Sequence, residues 1–204
     1  MSKGGFMKDA LILFAITLVA GACLGGAYEI TKGPIEAAEL AAKEDAFRTV
    51  LADADSFKLD DYSAALEKAN TDVAGMDDFG NVQVDECATG VDSSGNPMGY
   101  VVTATSGDGY GGNITVSVGI TTEGEVKGIA FLTIGETAGL GMNADTPEWK
   151  GQFADKTVER FNVTKAGASA DDQIDALSGA TITSNAVTGA VNSALYFVNS
   201  CVNQ

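Results

Sequence analysis

The sequence of 204 residues is hydrophobic at 45% of its positions, which is enough for one sizeable domain and an appendage. Its 12 lysines and arginines against 28 aspartates and glutamates give a formal charge of -16, which excludes nucleic acid as a partner because such binding needs clustered positive charge. The chain has no histidine, so an imidazole base, a Ser-His-Asp triad and a histidine-bound metal are excluded as well.

The N-terminal region contains an uncharged apolar run, Ala10 to Tyr28. As a helix this run would be roughly 28 Å long, which matches the hydrocarbon core of a bilayer. Lys3 and Lys8 precede it, and Glu29 is the first of several acidic residues after it. By the positive-inside rule, the sequence predicts a cytoplasmic N-terminus (residues 1–9), one transmembrane helix (residues 10–28) and an extracytoplasmic remainder.

Two other interpretations of the apolar run remain open. The stretch AGAC, which ends at Cys23, is a partial match to a signal-peptide cleavage site. A lipoprotein signal cut before Cys23 would normally carry a larger aliphatic residue in place of Ala20. The length of the run favours a retained anchor.

The three cysteines lie far apart, at positions 23, 87 and 201, and form no CxxC pair. Zinc, thioredoxin-like and standard iron–sulfur sites are therefore not indicated, and no metal ligand is assigned. Cys87 and Cys201 could pair outside the cell, but buried free thiols are the favoured interpretation.

Helical patterns follow the anchor in a predicted connector, residues 29–80. Pro34 to Ala54 has the spacing of an amphipathic helix, with the proline at its first position and strong helix formers after it. A shorter helix is predicted at Tyr62 to Ala69.

From Asn81 the periodicity changes to that of strands. The segments VQVDECATGVD, GYVVTATS and NITVSVGITTEGEVKGIAFLTI alternate apolar and polar residues and are interrupted by turn sequences. They predict about four antiparallel strands, of which Glu125 to Ile134 is the clearest. A helix start with Pro147 in its first turn and a last helix, Asn185 to Asn199, follow. The predicted fold class is α+β, an antiparallel sheet flanked by helices.

The segment DALSGATITSNAV, Asp175 to Val187, places several hydroxyls around one glycine just before the last helix. Thr183 or Ser184 could cap that helix. Ser178 beside Gly179 weakly suggests a nucleophile, but a serine needs an adjacent base, and the chain has no histidine to supply one. A small, glycine-containing loop at a helix N-terminus also predicts a phosphate site, either bound or covalent. The residue pattern by itself leaves these alternatives open.

The stretch DALSGAT resembles the D-x-x-S/T-G-A-T flavinylation motif of FMN-binding domains. GDGYGGNI, residues 107–114, is similar to the G-Y-x-G-x-I turn of that family, and GETAGLG, residues 135–141, to its E-T-P-G-L-G loop. Ala138 stands where the family usually has proline, so the loop is less restricted in φ. Trp149 and Phe153 match the W-x-x-x-F pair of the family. The whole chain resembles the G subunits of Rnf-type ion-translocating ferredoxin:NAD+ oxidoreductases.

The resemblance implies FMN bound through a phosphoester to Thr181, placed there by a flavin transferase that uses FAD. It implies that Gly179 and Ala180 let the backbone approach the phosphate, with Ser178 beside them. Asp175 would hold the loop, or a metal during flavin transfer, or serve as a structural cap. The loop around the isoalloxazine would comprise Glu136, Thr137, Gly139, Leu140 and Gly141. Trp149 is expected in the core, and flavin contact is the less favoured alternative.

Together these features predict a single-pass cell-membrane protein with an extracytoplasmic FMN-binding domain, residues 81–204. It would carry electrons within a complex that couples ferredoxin and NAD+ to ion translocation, and no residue is assigned a catalytic role. Its partners would be the other membrane subunits of the complex. The alternatives are the C subunit of a sodium-pumping NADH:quinone oxidoreductase, and a non-redox lipid-anchored binding module.

Overall fold

The computed structural model describes residues 3–202, with side chains except those of residues 3–6, 36 and 77. Residues 1 and 2 of the predicted cytoplasmic N-terminus, and residues 203 and 204 of the predicted FMN-binding domain, lie outside the described residues. The chain divides into two units, Met1–Ala42 and Lys43–Gln204.

The first unit consists of the N-terminal part of helix α1, Lys3–Val50. Within Met7–Val50 this helix is long and apolar enough to cross a membrane, and its most apolar window is exposed. The predicted new helix start at Pro34 is wrong, because Pro34 lies inside α1. A helical φ suits proline, and the strong helix formers after it offset the lost hydrogen bond.

Helices of the second unit surround a sheet and are joined by short 3₁₀ turns. The predicted helix near Tyr62 is confirmed, and the one near Pro147 is a single helical turn. The helical elements after α1 are α2 (Ser63–Ala74), 3₁₀ turns at Asp77–Phe79, Gly141–Asp145 and Gly151–Phe153, α3 (Pro147–Lys150), α4 (Thr181–Phe197) and a π-helical turn (Val198–Val202).

The sheet contains the four predicted strands and two short edge strands that were not predicted. Its order follows the sequence, and every neighbouring pair is antiparallel. A separate parallel pair, β7 and β8, leads towards α4. The strands are β1 (Ser56–Lys58), β2 (Val82–Val91), β3 (Pro97–Ser106), β4 (Ile114–Thr121), β5 (Glu125–Thr133), β6 (Lys156–Thr157), β7 (Asn162–Thr164) and β8 (Gln173–Asp175).

Each face of the sheet carries its own apolar cluster. Cys87 belongs to the larger cluster, and its neighbour Ala88 to the smaller one. The same alternation separates Val102 from Val101, as expected when successive side chains of a strand point to opposite faces. Helix α4 packs in the larger cluster, and the C-terminal end of α1 packs in the smaller one.

The end of α1 approaches the sheet backbone very closely. A Cβ on Gly119 would lie 2.0 Å from the Val50 carbonyl oxygen, and one on Gly90 would lie 2.5 Å from Leu51 Cδ2. Lys43 forms an ion pair with Glu86 of β2, and Glu86 also accepts a hydrogen bond from Thr103 Oγ1 at 3.2 Å. Packing, sterics and charge therefore hold the last turns of α1 to the sheet.

Cys87 and Cys201 are free thiols, but only Cys87 is buried as the sequence predicts, since Cys201 is partly exposed. Cys87 is buried on β2, and burial raises the pKa of its thiol to about 12. At neutral pH this group is therefore protonated and packs as a small apolar side chain.

We expect Gly119→Ala to destabilise the protein by about 1–3 kcal/mol, because the added methyl group collides with the Val50 carbonyl and the end of α1 must shift. Urea unfolding of the detergent-solubilised protein measures the change. Gly151→Ala is the control, since its Cβ would meet open space at a helical φ of -60°. Equal stability of the Gly119→Ala and wild-type proteins would show that α1 is not held at this position.

Candidate functional site

A cavity of about 630 Å³ lies where three loops of the second unit meet. One loop joins β3 to β4, one follows β5, and one leads into α4. Its lining residues are Tyr110, Glu136, Thr137, Leu140, Gly141, Gly179, Ala180, Thr181, Ile182 and Thr183.

The loop after β5 is tied to the β3–β4 loop through Glu136. This side chain is only 8% exposed, and its Oε1 accepts a hydrogen bond from the Gly111 N–H at 3.2 Å. A Cβ on Gly111 would lie 2.2 Å from the Gly135 carbonyl oxygen, so only glycine permits this approach. The two loops therefore form one wall of the cavity.

The same loop also touches the first turn of α4. A Cβ on Gly141 would lie 2.6 Å from Glu136 Oε2 and 2.7 Å from Thr183 Oγ1. Glycine at this position lets the loop and the helix close together around the cavity.

The loop into α4 turns at Gly179, whose φ of +75° favours glycine. The Ala180 N–H donates to the Leu177 carbonyl at 3.0 Å, and Thr181 then begins the helix. Thr181 is partly exposed and lines the cavity.

The predicted cap at Thr183 or Ser184 is wrong, because α4 begins at Thr181 rather than at Asn185. Ala180 occupies the N-cap position and has no side-chain oxygen to accept from the first-turn N–H groups. These N–H groups have no acceptor within the helix. With the helix dipole they favour an anion at this wall of the cavity.

The groups that line the cavity fit a flavin mononucleotide. The helix N-terminus suits a phosphate, while exposed apolar side chains of Tyr110, Leu140 and Ile182 suit a flat ring system. The volume lies within the range of about 300–1,000 Å³ found for small-molecule sites. Among the described residues that line the cavity, Glu136 alone is charged.

The structure brings most of the predicted site residues to this cavity. Gly139, Asp175 and Ser178 do not line it. Gly139 shapes the loop with a φ of +77°. The predicted residues that line the cavity are Glu136, Thr137, Leu140, Gly141, Gly179, Ala180 and Thr181.

Three lining residues were missed. Tyr110 lies in the GDGYGGNI motif, so that motif could have predicted it. Ile182 and Thr183 follow the attachment motif directly. Thr183 was treated as a cap, although its buried side chain faces the loop after β5.

Trp149 is a core residue, as the sequence predicts. It is 5% exposed and packs edge-on against Phe153 at a ring-centroid distance of 5.4 Å. Its indole N–H donates to the Asp175 carbonyl at 2.8 Å, and Gln152 Oε1 accepts from the Asp175 N–H at 2.7 Å. Asp175 is thus held through its backbone at the end of β8.

Comparison with known proteins agrees with this geometry. The sequence profile of the FMN-binding domain matches residues 109–196, a range that contains all the cavity-lining residues. The chain is 34% identical to the G subunit of the ion-translocating oxidoreductase complex of Methanosarcina acetivorans, over 94% of each chain. It is 32% identical to the G subunit of the proton-translocating ferredoxin:NAD(+) oxidoreductase complex of Clostridium ljungdahlii, over 92% of each chain.

Among solved structures, NqrC of Shewanella oneidensis has a similar fold, with a TM-score of 0.50 and 22% identity over 63% of this chain and 68% of that one.

The fold is that of an FMN-binding domain, whose matched range contains the cavity, on a chain with an N-terminal apolar helix. The matches over nearly the whole chain show that it belongs to the family of G subunits of Rnf-type ion-translocating oxidoreductase complexes. This result sets aside the non-redox binding module.

We expect Gly141→Ala to lower the flavin content of the purified protein severalfold, because the added methyl group collides with Glu136 and with Thr183 of α4 and forces the loop away from the helix. Flavin absorbance per protein chain measures the effect. Gly135→Ala in the same loop is the control, since its Cβ would meet its nearest neighbour, the Gly111 carbonyl oxygen, at an ordinary 3.6 Å. Full flavin content in Gly141→Ala would place the flavin elsewhere.

Proposed function

We propose that this chain is the membrane-anchored electron carrier of a ferredoxin:NAD+ oxidoreductase complex that translocates ions, and that its FMN is bound covalently to Thr181. The observation that carries the proposal is the position of Thr181, the first residue of α4, at the wall of the cavity. The name of the Clostridium ljungdahlii relative supports ferredoxin and NAD+ as the electron partners of the complex.

Attachment is a phosphoryl transfer from FAD, carried out by a flavin transferase. The Thr181 oxygen attacks the phosphorus on the FMN side of the pyrophosphate, and a new oxygen–phosphorus bond forms as the pyrophosphate bond breaks. AMP leaves with the electron pair of the broken bond, and the hydroxyl proton passes to a base of the transferase. This chain has no histidine that could act as the base.

Residues of the chain then hold the product. First-turn N–H groups of α4 would stabilise the charge of the phosphoester. Residues of the loop from Glu136 to Gly141, which line the cavity, would hold the ring system. When bound, FMN supplies reversible electron transfer, while the protein supplies position and electrostatic surroundings. Glu136, which lines the cavity, would lie near the bound ring.

The proposed topology has the N-terminus in the cytoplasm and the FMN domain outside. Its support is the pair of lysines before the apolar run, Lys3 and Lys8, and the acidic residues after it. The other membrane subunits of the complex would then exchange electrons with the FMN on the outer side.

A reporter enzyme fused to the C-terminus should behave as exported, because in the proposed topology the chain crosses the membrane once, from the cytoplasm outwards. Alkaline phosphatase, which is active only outside the cytoplasm, and a fluorescent protein that matures inside it form a matched pair. Activity of the cytoplasmic reporter alone would contradict the proposed orientation.

Thr181→Val should abolish covalent FMN, because no oxygen remains to form the phosphoester. Thr183→Val is the matched control and should keep the flavin, because valine is close to threonine in size and the Thr181 hydroxyl remains. In-gel flavin fluorescence after denaturation reports the attached cofactor. A fluorescent Thr181→Val band, or a dark Thr183→Val band from folded protein, would assign the attachment to another hydroxyl.

A further inference from the structure

The attachment motif, Asp175 to Thr181, is held at its beginning by residues from outside it. Trp149 and Gln152 bind the carbonyl and the N–H of Asp175 at 2.8 and 2.7 Å. The Ala176 N–H donates to the Thr164 carbonyl at 2.8 Å. The first two residues of the motif therefore have fixed backbones.

The last residues of the motif are bound to α4 through one buried hydroxyl group, that of Ser184. Ser184 is 0% exposed, and its Oγ accepts from the Leu177 N–H at 2.9 Å. The same hydroxyl donates to the Ala180 carbonyl at 3.0 Å, which also accepts from the Ser184 N–H at 3.1 Å. These bonds join both ends of the segment 177–180 to Ser184 in the first turn of α4. The hydrogen bond from the Ala180 N–H to the Leu177 carbonyl joins the two ends to each other.

Extending this segment would break all of these bonds. An enzyme that modifies an extended peptide would have to pull residues 177–180 away from α4, and the buried polar groups of Ser184 would lose their partners. In the closed loop, by contrast, Thr181 already stands at the helix N-terminus, where the phosphate must lie.

We infer that the flavin transferase recognises the motif as a preformed, folded loop, and that Ser184 is a positioning residue for FMN attachment. The inference rests on the proposed function, because it presupposes that Thr181 receives the FMN. It assigns a role to a residue beyond the motif itself.

The test uses the full chain, a purified flavin transferase and FAD. Ser184→Ala removes the hydroxyl that binds residues 177–180 to α4. In this variant, only a fraction of the molecules should have the loop in its closed conformation. The KM for the protein substrate should then rise about tenfold with kcat little changed, as expected when the competent conformation is partly populated. Initial rates of FMN transfer over a range of protein concentrations measure both constants.

Ser193→Ala is a matched control on the same helix. Ser193 is also 0% exposed, and its hydroxyl donates to the Ala190 carbonyl at 2.7 Å, within α4. This variant loses a comparable buried hydroxyl without touching the loop, so its KM should stay at the wild-type value. Equal increases in KM for both variants would overturn the inference, because general destabilisation would then explain them.

Hydrogen exchange gives a readout that does not depend on the transferase. The Leu177 amide should exchange faster in Ser184→Ala than in wild-type protein, while the sheet amides should keep their rates. A folded Ser184→Ala protein that is modified with the wild-type KM would show that the transferase does not need the closed loop.

If Ser184→Ala does not fold, Gln152→Met decides the question. Gln152 is partly exposed, and methionine removes the acceptor of the Asp175 N–H while keeping the side-chain length. A raised KM supports the inference, and a wild-type KM overturns it. Wild-type protein that accepts no FMN would overturn the proposed function as well, whereas equal KM values for wild-type and variant proteins overturn only the inference.

Discussion

A single buried hydroxyl, that of Ser184, joins the loop before α4 to the helix itself. Its bonds to Leu177 and Ala180 fix where the helix begins, and therefore where the unpaired N–H groups of the first turn point. Thr181 stands at this place because the preceding turn closes at Gly179, where φ is +75°. The helix N-terminus and the Thr181 hydroxyl that we propose as the attachment point thus arise from one local arrangement of backbone and side chain.

The sheet gives this arrangement a rigid support. Helix α4 is buried along almost its whole length in the larger apolar cluster, so its N-terminus cannot shift without disturbing the core. On the opposite face, Gly119 lets the end of α1 lie directly on β4. The last residues of the N-terminal helix and the helix that carries Thr181 therefore pack against the same sheet.

Regular elements were predictable where the sequence has a strong period. The four long strands and the apolar face of α4 follow from alternation and helical spacing. The continuity of α1 through Pro34 was not predictable, because local rules favour a break at proline. The start of α4 was misplaced because Ser184 resembles a cap in sequence, whereas its hydroxyl binds the loop behind it.

The cavity was predictable only in part. The motif resemblance predicted residues of two loops, and the GDGYGGNI motif could have predicted Tyr110 as well. Thr183 reaches the cavity through packing of α4 against the loop after β5, which no local pattern encodes. The glycines at positions 111 and 141 are required by close approaches between segments far apart in sequence. Such contacts depend on tertiary structure, so spacing alone does not reveal them.

Tandem mass spectrometry of the protein purified from its own membrane tests the covalent attachment of FMN to Thr181 most directly. We expect a peptide spanning Ser178 to Ser184 that carries the mass of FMN less one water, with fragment ions that locate this mass on Thr181. The same peptide unmodified throughout the sample, or fragments that locate the flavin on Ser178 or Thr183, would contradict this assignment.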